Sequence, residues 1–263
     1  MSRQSRLCSR IFRYMKRDEF KIEICANSVR SCIAAGEGGA DRVELCAGIP
    51  EGGTTPSAGM IRSARESADI VLNVIIRPRG GDFLYSGEEV REMLYDIRTA
   101  KEYGADGLVF GALTPEGDVD MEVMSRLMDA AGDTPVTFHR AFDHARDPYD
   151  AMEKAIRLGC RRILTSGQAA TAELGKQLLA ELVVKAAGRI IIMPGCGVNA
   201  SNIAGIAAFT SAREFHFSAR TAVGSRMLYR NPGATMGAGS EDYSVPVTDA
   251  GIVRETISRL TGQ

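Results

Sequence analysis

The sequence predicts an α/β fold, a closed (β/α)8 TIM-type barrel in a single domain. Three observations carry that expectation. Eight short apolar runs alternate with eight amphipathic runs along a chain of 263 residues, a length that suits one such barrel. Neither a GxGxxG fingerprint nor a Walker A motif is present to favour an open, doubly wound sheet. No shift in composition marks a second domain, and a hydrophobic content of 44% is ample for one core.

The chain is organised around residues 21–46. The segments KIEIC and RVELC flank an amphipathic run, 28–37, which is closed by Gly38 and Gly39. Alternation sets Glu23 and Cys25 on one face of the first segment and Ile22 and Ile24 on the other. In the second, Glu44 and Cys46 stand opposite Val43 and Leu45. This pattern reads as strand, crossover helix, parallel strand.

Pro56 and Ser57 then open a helix over 60–67, and IVLNVIIR, 70–77, is a third strand ended by Pro78. A loop rich in glycine leads to a helix over 88–103. Met93, Leu94, Ile97 and Ala100 share its apolar face, and Gly104 caps it. A fourth strand at 107–110 precedes a helix over 119–131. PVTFH, 135–139, is the fifth strand, after which Asp147 as N-cap and Pro148 in the first turn begin a helix that runs to Leu158.

Strands at 162–165, 189–193 and 214–217 alternate with helices at 172–187 and 199–209. Residues 220–243 read as irregular, and 247–260 as the last helix. Residues 1–20 are basic and lack a continuous apolar stretch, so they read as a variable, poorly ordered leader to a barrel domain spanning 21–263.

Composition excludes several classes of partner. Lys plus Arg number 32 against 33 for Asp plus Glu, so neither nucleic acid nor an anionic membrane is expected to bind. With no Trp and 6% aromatic residues, a stacking platform for single strands is not expected either. No run approaches the roughly 20 apolar residues of a membrane span. Six cysteines spread thinly, without a CxxC pair, suit free thiols in a reducing compartment, and the cytoplasm is the expected location.

Barrel chemistry gathers at the C-terminal ends of the strands. Alternation nominates Glu23, Cys25, Glu44, Cys46, Asn73, Arg77, Thr137, His139, Thr165 and His216 as inward groups. Glu23 and Glu44 would lie on adjacent strands, with Arg77 placed to neutralise one of them. They read either as an ion network closing the barrel or as an acid and base. Cys25 and Cys46 are either small buried hydrophobes or soft ligands for Cu(I), with Met193 as a further sulfur if it faces inward. Zinc is disfavoured, because no compact Cys and His spacing occurs.

His139 and His216 at strand ends are satisfied structural groups or proton donors. Arg79, Gly195, Gly197, Ser218 and Arg220 could together cradle an anion, since the loops after strands seven and eight often do so in this fold. No lysine sits clearly at a strand end, which disfavours Schiff-base chemistry.

The motifs then resemble a known family. EIC at 23–25, RVELC at 42–46, EGGTTPS at 51–57, IRPRGGDFLYS from Ile76 and YGADGLVFGALT from Tyr103 are similar to segments of the copper homeostasis family CutC. So are PVTFHRAFD from Pro135, ILTSG from Ile163, MPGCGV from Met193 and EFHFSAR from Glu214. The resemblance covers the chain from about residue 21 onward. It implies a β/α barrel in the cytoplasm, assembled as a homodimer or homotetramer. It also implies binding or handling of Cu(I), with Cys25 and Cys46 as the metal ligands.

Family members usually carry PGGGV or PGGGI where this chain has PGCGV, so Cys196 reads as a third nearby sulfur or as a tolerated replacement. The alternative function is a barrel enzyme acting on a small phosphorylated or carboxylated metabolite. Glu23, Glu44, Arg77, His139 and His216 would then do acid/base work.

Overall fold

A computed structural model describes residues 16–234 and 242–261. Eight parallel strands form one sheet: β1 (Lys21–Ala26), β2 (Arg42–Leu45), β3 (Val71–Ile75), β4 (Gly107–Phe110), β5 (Val136–Phe138), β6 (Arg162–Thr165), β7 (Ile191–Pro194) and β8 (Glu214–Phe217). They are ordered β7-β6-β5-β4-β3-β2-β1-β8, and β7 lies against β8 to close the barrel. Among the described residues no ladder joins those last two strands.

The intervening helices are α1 (Val29–Glu37), α2 (Ala58–Ser67), α3 (Gly87–Glu102), α4 (Met121–Ala131), α5 (Pro148–Arg157), α6 (Lys176–Ala186) and α7 (Ile203–Thr210), with α8 (Ala250–Thr261) last. The sequence announces several of their starts. Asp147 Oδ1 accepts from the amides of Tyr149 and Asp150 at 2.8 and 3.1 Å, with Pro148 in the first turn. Ser86 and Glu89 form a capping box at α3.

Outward strand residues pack under the helices. Ile22, Ile24, Val43, Leu45, Leu72, Val74, Phe110, Phe138 and Phe215 are buried in one continuous core with the inner faces of the helices. The opposite strand face points into the barrel, where the polar alternates collect. Register sets their levels: Cys25 is paired with Glu44 across β1 and β2, Glu44 with Asn73 across β2 and β3, and Glu23 with His216 across β1 and β8.

The helices expected at 172–187 and 199–209 begin four residues later, at Lys176 and Ile203, and three other segments differ from the expectation. Residues 220–243, read as irregular, contribute β9 (Arg220–Gly224), which pairs with β10 (Ser244–Thr248) as an antiparallel ribbon. The pairing is non-local and the ribbon largely exposed, so neither strand carries a strong alternation of its own. Residues 235–241 lie outside the described residues. The last helix starts at Ala250 rather than 247, because Val247 and Thr248 belong to β10, and Asp249 Oδ1 accepts from the amide of Ile252 at 2.9 Å.

At the start of the chain, residues 1–15 of the expected leader lie outside the described residues. Arg17–Glu19 form a single 3-10 turn, Phe20 is fully buried 6.0 Å from the ring of Phe215, and Arg17 pairs with Asp41 at 2.6 Å. Residues 17–20 thus pack against the barrel rather than fraying from it.

Candidate functional site

The site is built from the bottom of the barrel upward. Glu23 on β1 is fully buried. Its Oε2 accepts from Arg42 Nε at 2.7 Å and from Asn73 Nδ2 at 2.8 Å, and its Oε1 lies 2.8 Å from His216 Nδ1. Burial alone would push this carboxyl up, but Arg42 and His216 outweigh it and hold the group well below the usual carboxylate range. Glu23 is therefore an anion.

Beneath it Arg42 also binds Glu214, which Arg162 Nε meets at 3.1 Å, and Arg162 donates to Thr137 Oγ1 at 3.3 Å. Met193 faces inward, but its sulfur meets Arg42 at 3.1 Å in this network rather than the cysteines.

An anionic Glu23 decides the orientation of His216. Its Nδ1 donates to the carboxylate, which leaves Nε2 for the cavity, 3.6 Å from Glu44 Oε2. Burial works against protonating this ring. Glu44, Cys25 and Glu23 together outweigh it and raise His216 well above an ordinary histidine.

Cys25, half-buried at the cavity edge, is held well below an ordinary thiol. The contact with Cys46 is the main cause; burial opposes it, and His216 and Arg220 assist. The two sulfurs are 3.6 Å apart, and Arg220 donates to Cys25 Sγ at 3.1 Å. The same contact raises Cys46, which stays a thiol. Burial pushes Glu44 up to about 8, against the pull of His216, and its Oε1 is buried without a partner.

Cys25, Glu44 and His216 thus offer a sulfur, an oxygen and a nitrogen that all lie within 4.8 Å of one another. They form one wall of a cavity of about 300 Å³ at the C-terminal ends of the strands. Arg77, Phe83, His139, Arg140, His144 and Leu164 line it too, together with Glu51, Gly52, Ile75 and Gly81.

Arg77 does not neutralise either glutamate, as the alternation had suggested. It lies beyond the end of β3 and donates to the carbonyls of Glu51, Gly53 and Gly81 at 2.7, 2.8 and 2.8 Å. Arg42, level with Glu23 on the neighbouring strand, takes the expected role. His139 accepts the Ala141 amide on Nδ1 at 3.2 Å, and burial followed by the charge of Arg77 pushes it down to about 3. It is a neutral ring.

The residues nominated as an anion cradle are dispersed. Arg79 is bound to Glu89 and Asp82 at 2.5 and 3.0 Å, Ser218 gives its carbonyl to Thr248, and Arg220 turns to Cys25. None of these three, nor Gly195 or Gly197, lines the cavity. A Cβ at Gly195 would sit 2.4 Å from Leu164 Cδ1, so this glycine serves close packing between strand ends, and a larger residue would displace the Leu164 side chain. Cys196 takes a left-handed φ of 72°, a conformation that favours glycine, and its sulfur donates to the Ala170 carbonyl.

Sequence reasoning missed Arg42, Arg162 and Glu214. One step back from Glu44 and His216 along the same alternation reaches Arg42 and Glu214. Arg162 was hidden because Thr165, nominated as inward, lies on the other face of β6 from Arg162 and Leu164 and donates to Asp143 Oδ1. Phe83 sits in a loop, where no period exists to point at it.

Fold and site together define a β/α-barrel protein with a thiol, imidazole and carboxyl cluster at its strand ends. Among the described residues no helix is long and apolar enough to cross a membrane. Residues 20–221 match the model of the CutC family, and the chain belongs to that family.

The family protein CutC of Bacteroides thetaiotaomicron is 58% identical over 245 residues, covering 92% of this chain and 98% of that protein. A human protein named as a copper homeostasis protein cutC homolog is 49% identical, covering 89% of this chain and 87% of its own. The crystal structure of CutC from Streptococcus agalactiae superposes with a TM-score of 0.71 at 35% identity, over 76% of this chain and 98% of that one.

Proposed function

We propose that this protein binds and handles Cu(I) through Cys25 and Cys46, with His216 Nε2 as a third donor. One observation carries the reading: Cys25 Sγ lies 3.6 Å from Cys46 Sγ and within 4.8 Å of a ring nitrogen of His216, whose Nδ1 is already committed to a buried carboxylate. Thiolate and imidazole are donors suited to Cu(I), and a carboxylate behind a ligating histidine fixes its tautomer and strengthens it. Glu44 is a hard oxygen donor, so it contributes less to a soft ion. The names of the human and streptococcal relatives support copper as the metal. A reducing cytoplasm would keep both thiols available, and assembly as a homodimer or homotetramer follows the family resemblance.

The test is anaerobic titration with Cu(I) against a chelating competitor. Wild type should outcompete the chelator, and the double variant Cys25→Ser/Cys46→Ser should not. Equal affinity in the two proteins would overturn the reading.

A further inference from the structure

The sulfur, imidazole and carboxyl donors occupy only one wall of the cavity, contributed by β1, β2 and β8. The facing wall comes from the ends of β3 and β5, and it has a different chemistry. A volume of about 300 Å³ far exceeds one ion, since a water molecule's share of liquid volume is only about 30 Å³. It matches the small end of metabolite pockets.

Three features of this wall call for a ligand rich in acceptors. Arg77 is buried, at 5% exposure, and each of its described hydrogen-bond acceptors is a backbone carbonyl. Three hydrogen bonds to carbonyls engage Nη1 and Nη2, but its Nε–H is buried with no partner and its unit charge has no carboxylate beside it. His139 is 3% exposed, and its Nδ1 accepts the Ala141 amide. The proton therefore sits on Nε2, and that nitrogen has no partner. A buried donor without an acceptor destabilises the fold, so His139 Nε2–H is retained at a loss unless a ligand completes it. Finally, Phe83 lies between the two, with its ring 5.0 Å from the Arg77 guanidinium and 4.9 Å from the His139 ring. The shared ring holds both groups in place before any ligand arrives.

We propose that this wall binds the carboxylate or phosphate group of a small metabolite. Its oxygens accept from His139 Nε2–H and lie against the charge of Arg77, with Arg140 beside them on the lining. The rest of the ligand extends toward Cys25 and Glu44. The two walls share one cavity but not their donors: neither His139 nor Arg77 has a described hydrogen bond to Cys25, Cys46 or His216.

The experiment uses the full chain, anaerobic and without added metal. Inorganic phosphate and pyruvate are titrated separately, read by calorimetry and by the histidine ring 1H–15N spectrum. One of the two probes should bind and shift the His139 Nε2–H signal, and the preference between them tells phosphate from carboxylate. His139→Ala should weaken binding roughly tenfold to a hundredfold, as expected for a hydrogen bond to a charged group. His139→Gln, which keeps an N–H donor, should recover part of the loss. Both variants should compete for Cu(I) as wild type does, so failure here and failure of the copper reading are distinguishable. Binding of neither probe at millimolar concentration overturns the proposal. So does an unmoved His139 signal in wild type, or undiminished affinity in His139→Ala.

Discussion

Glu23 and His216 face each other across β1 and β8, joined by a 2.8 Å hydrogen bond at the floor of the cavity. The bond ties the ion network below to the donor cluster above. Arg42 makes Glu23 an anion, and the anion fixes which nitrogen of His216 meets the cavity.

Removing that carboxylate should be felt twice. Glu23→Ala leaves Arg42 buried with one fewer counterion, and loss of one partner from a buried pair costs about 3–5 kcal/mol. Urea unfolding should give an extrapolated free energy of unfolding lower by about that amount. The isosteric Glu23→Gln should fold better yet bind Cu(I) roughly 10–100-fold more weakly, because the histidine is no longer oriented by a charge. Competition against a Cu(I) chelator reads the second effect.

The thiols should react in a fixed order. Cys25 is depressed and reaches the cavity, whereas burial pushes Cys32 and Cys160 up to about 12. Brief treatment with iodoacetamide should label Cys25 well before Cys32 and Cys160. Peptide mapping by mass spectrometry checks this, and prior loading with Cu(I) should protect Cys25.

Metal binding should release protons. Cys46 is a thiol and His216 is held protonated, so both must lose a proton to become ligands. Cu(I) affinity should therefore rise with pH. Anaerobic calorimetry in buffers of differing ionisation enthalpy counts the protons released; a heat independent of buffer would contradict the assignment.

His139 should make the protein acid-sensitive. Its folded value of about 3 lies below the ordinary value of 6.5, so the unfolded chain binds the proton first as pH falls. Stability from this group is full above about 6.5 and is lost through the window down to about 3, at roughly 1.4 kcal/mol per pH unit. His139→Gln cannot titrate, so its stability should fall less steeply with acid over that window. Denaturant unfolding of both proteins at a series of pH values measures the difference.

Much of the fold was legible because it is local. Strands such as KIEIC and RVELC declare an inward and an outward face within five residues, and Asp147-Pro148 declares a helix start within two. The same alternation brought Glu23, Cys25, Glu44 and His216 to one place, since residues at even spacing on adjacent parallel strands must share a face. The β9–β10 ribbon was not legible, because its pairing joins segments that are far apart in the chain and mostly exposed.

By itself, then, the sequence determined the eight-fold repeat, most of the inward set and the convergence of two cysteines. Only the tertiary structure decided who pairs with whom. Arg42 rather than Arg77 holds Glu23, Met193 serves the arginine rather than the metal donors, and His139 is left neutral with a bare N–H. Such choices depend on strand register around a closed barrel and on where each long side chain ends. Periodicity along a single strand carries the direction of a side chain but not the position of its tip.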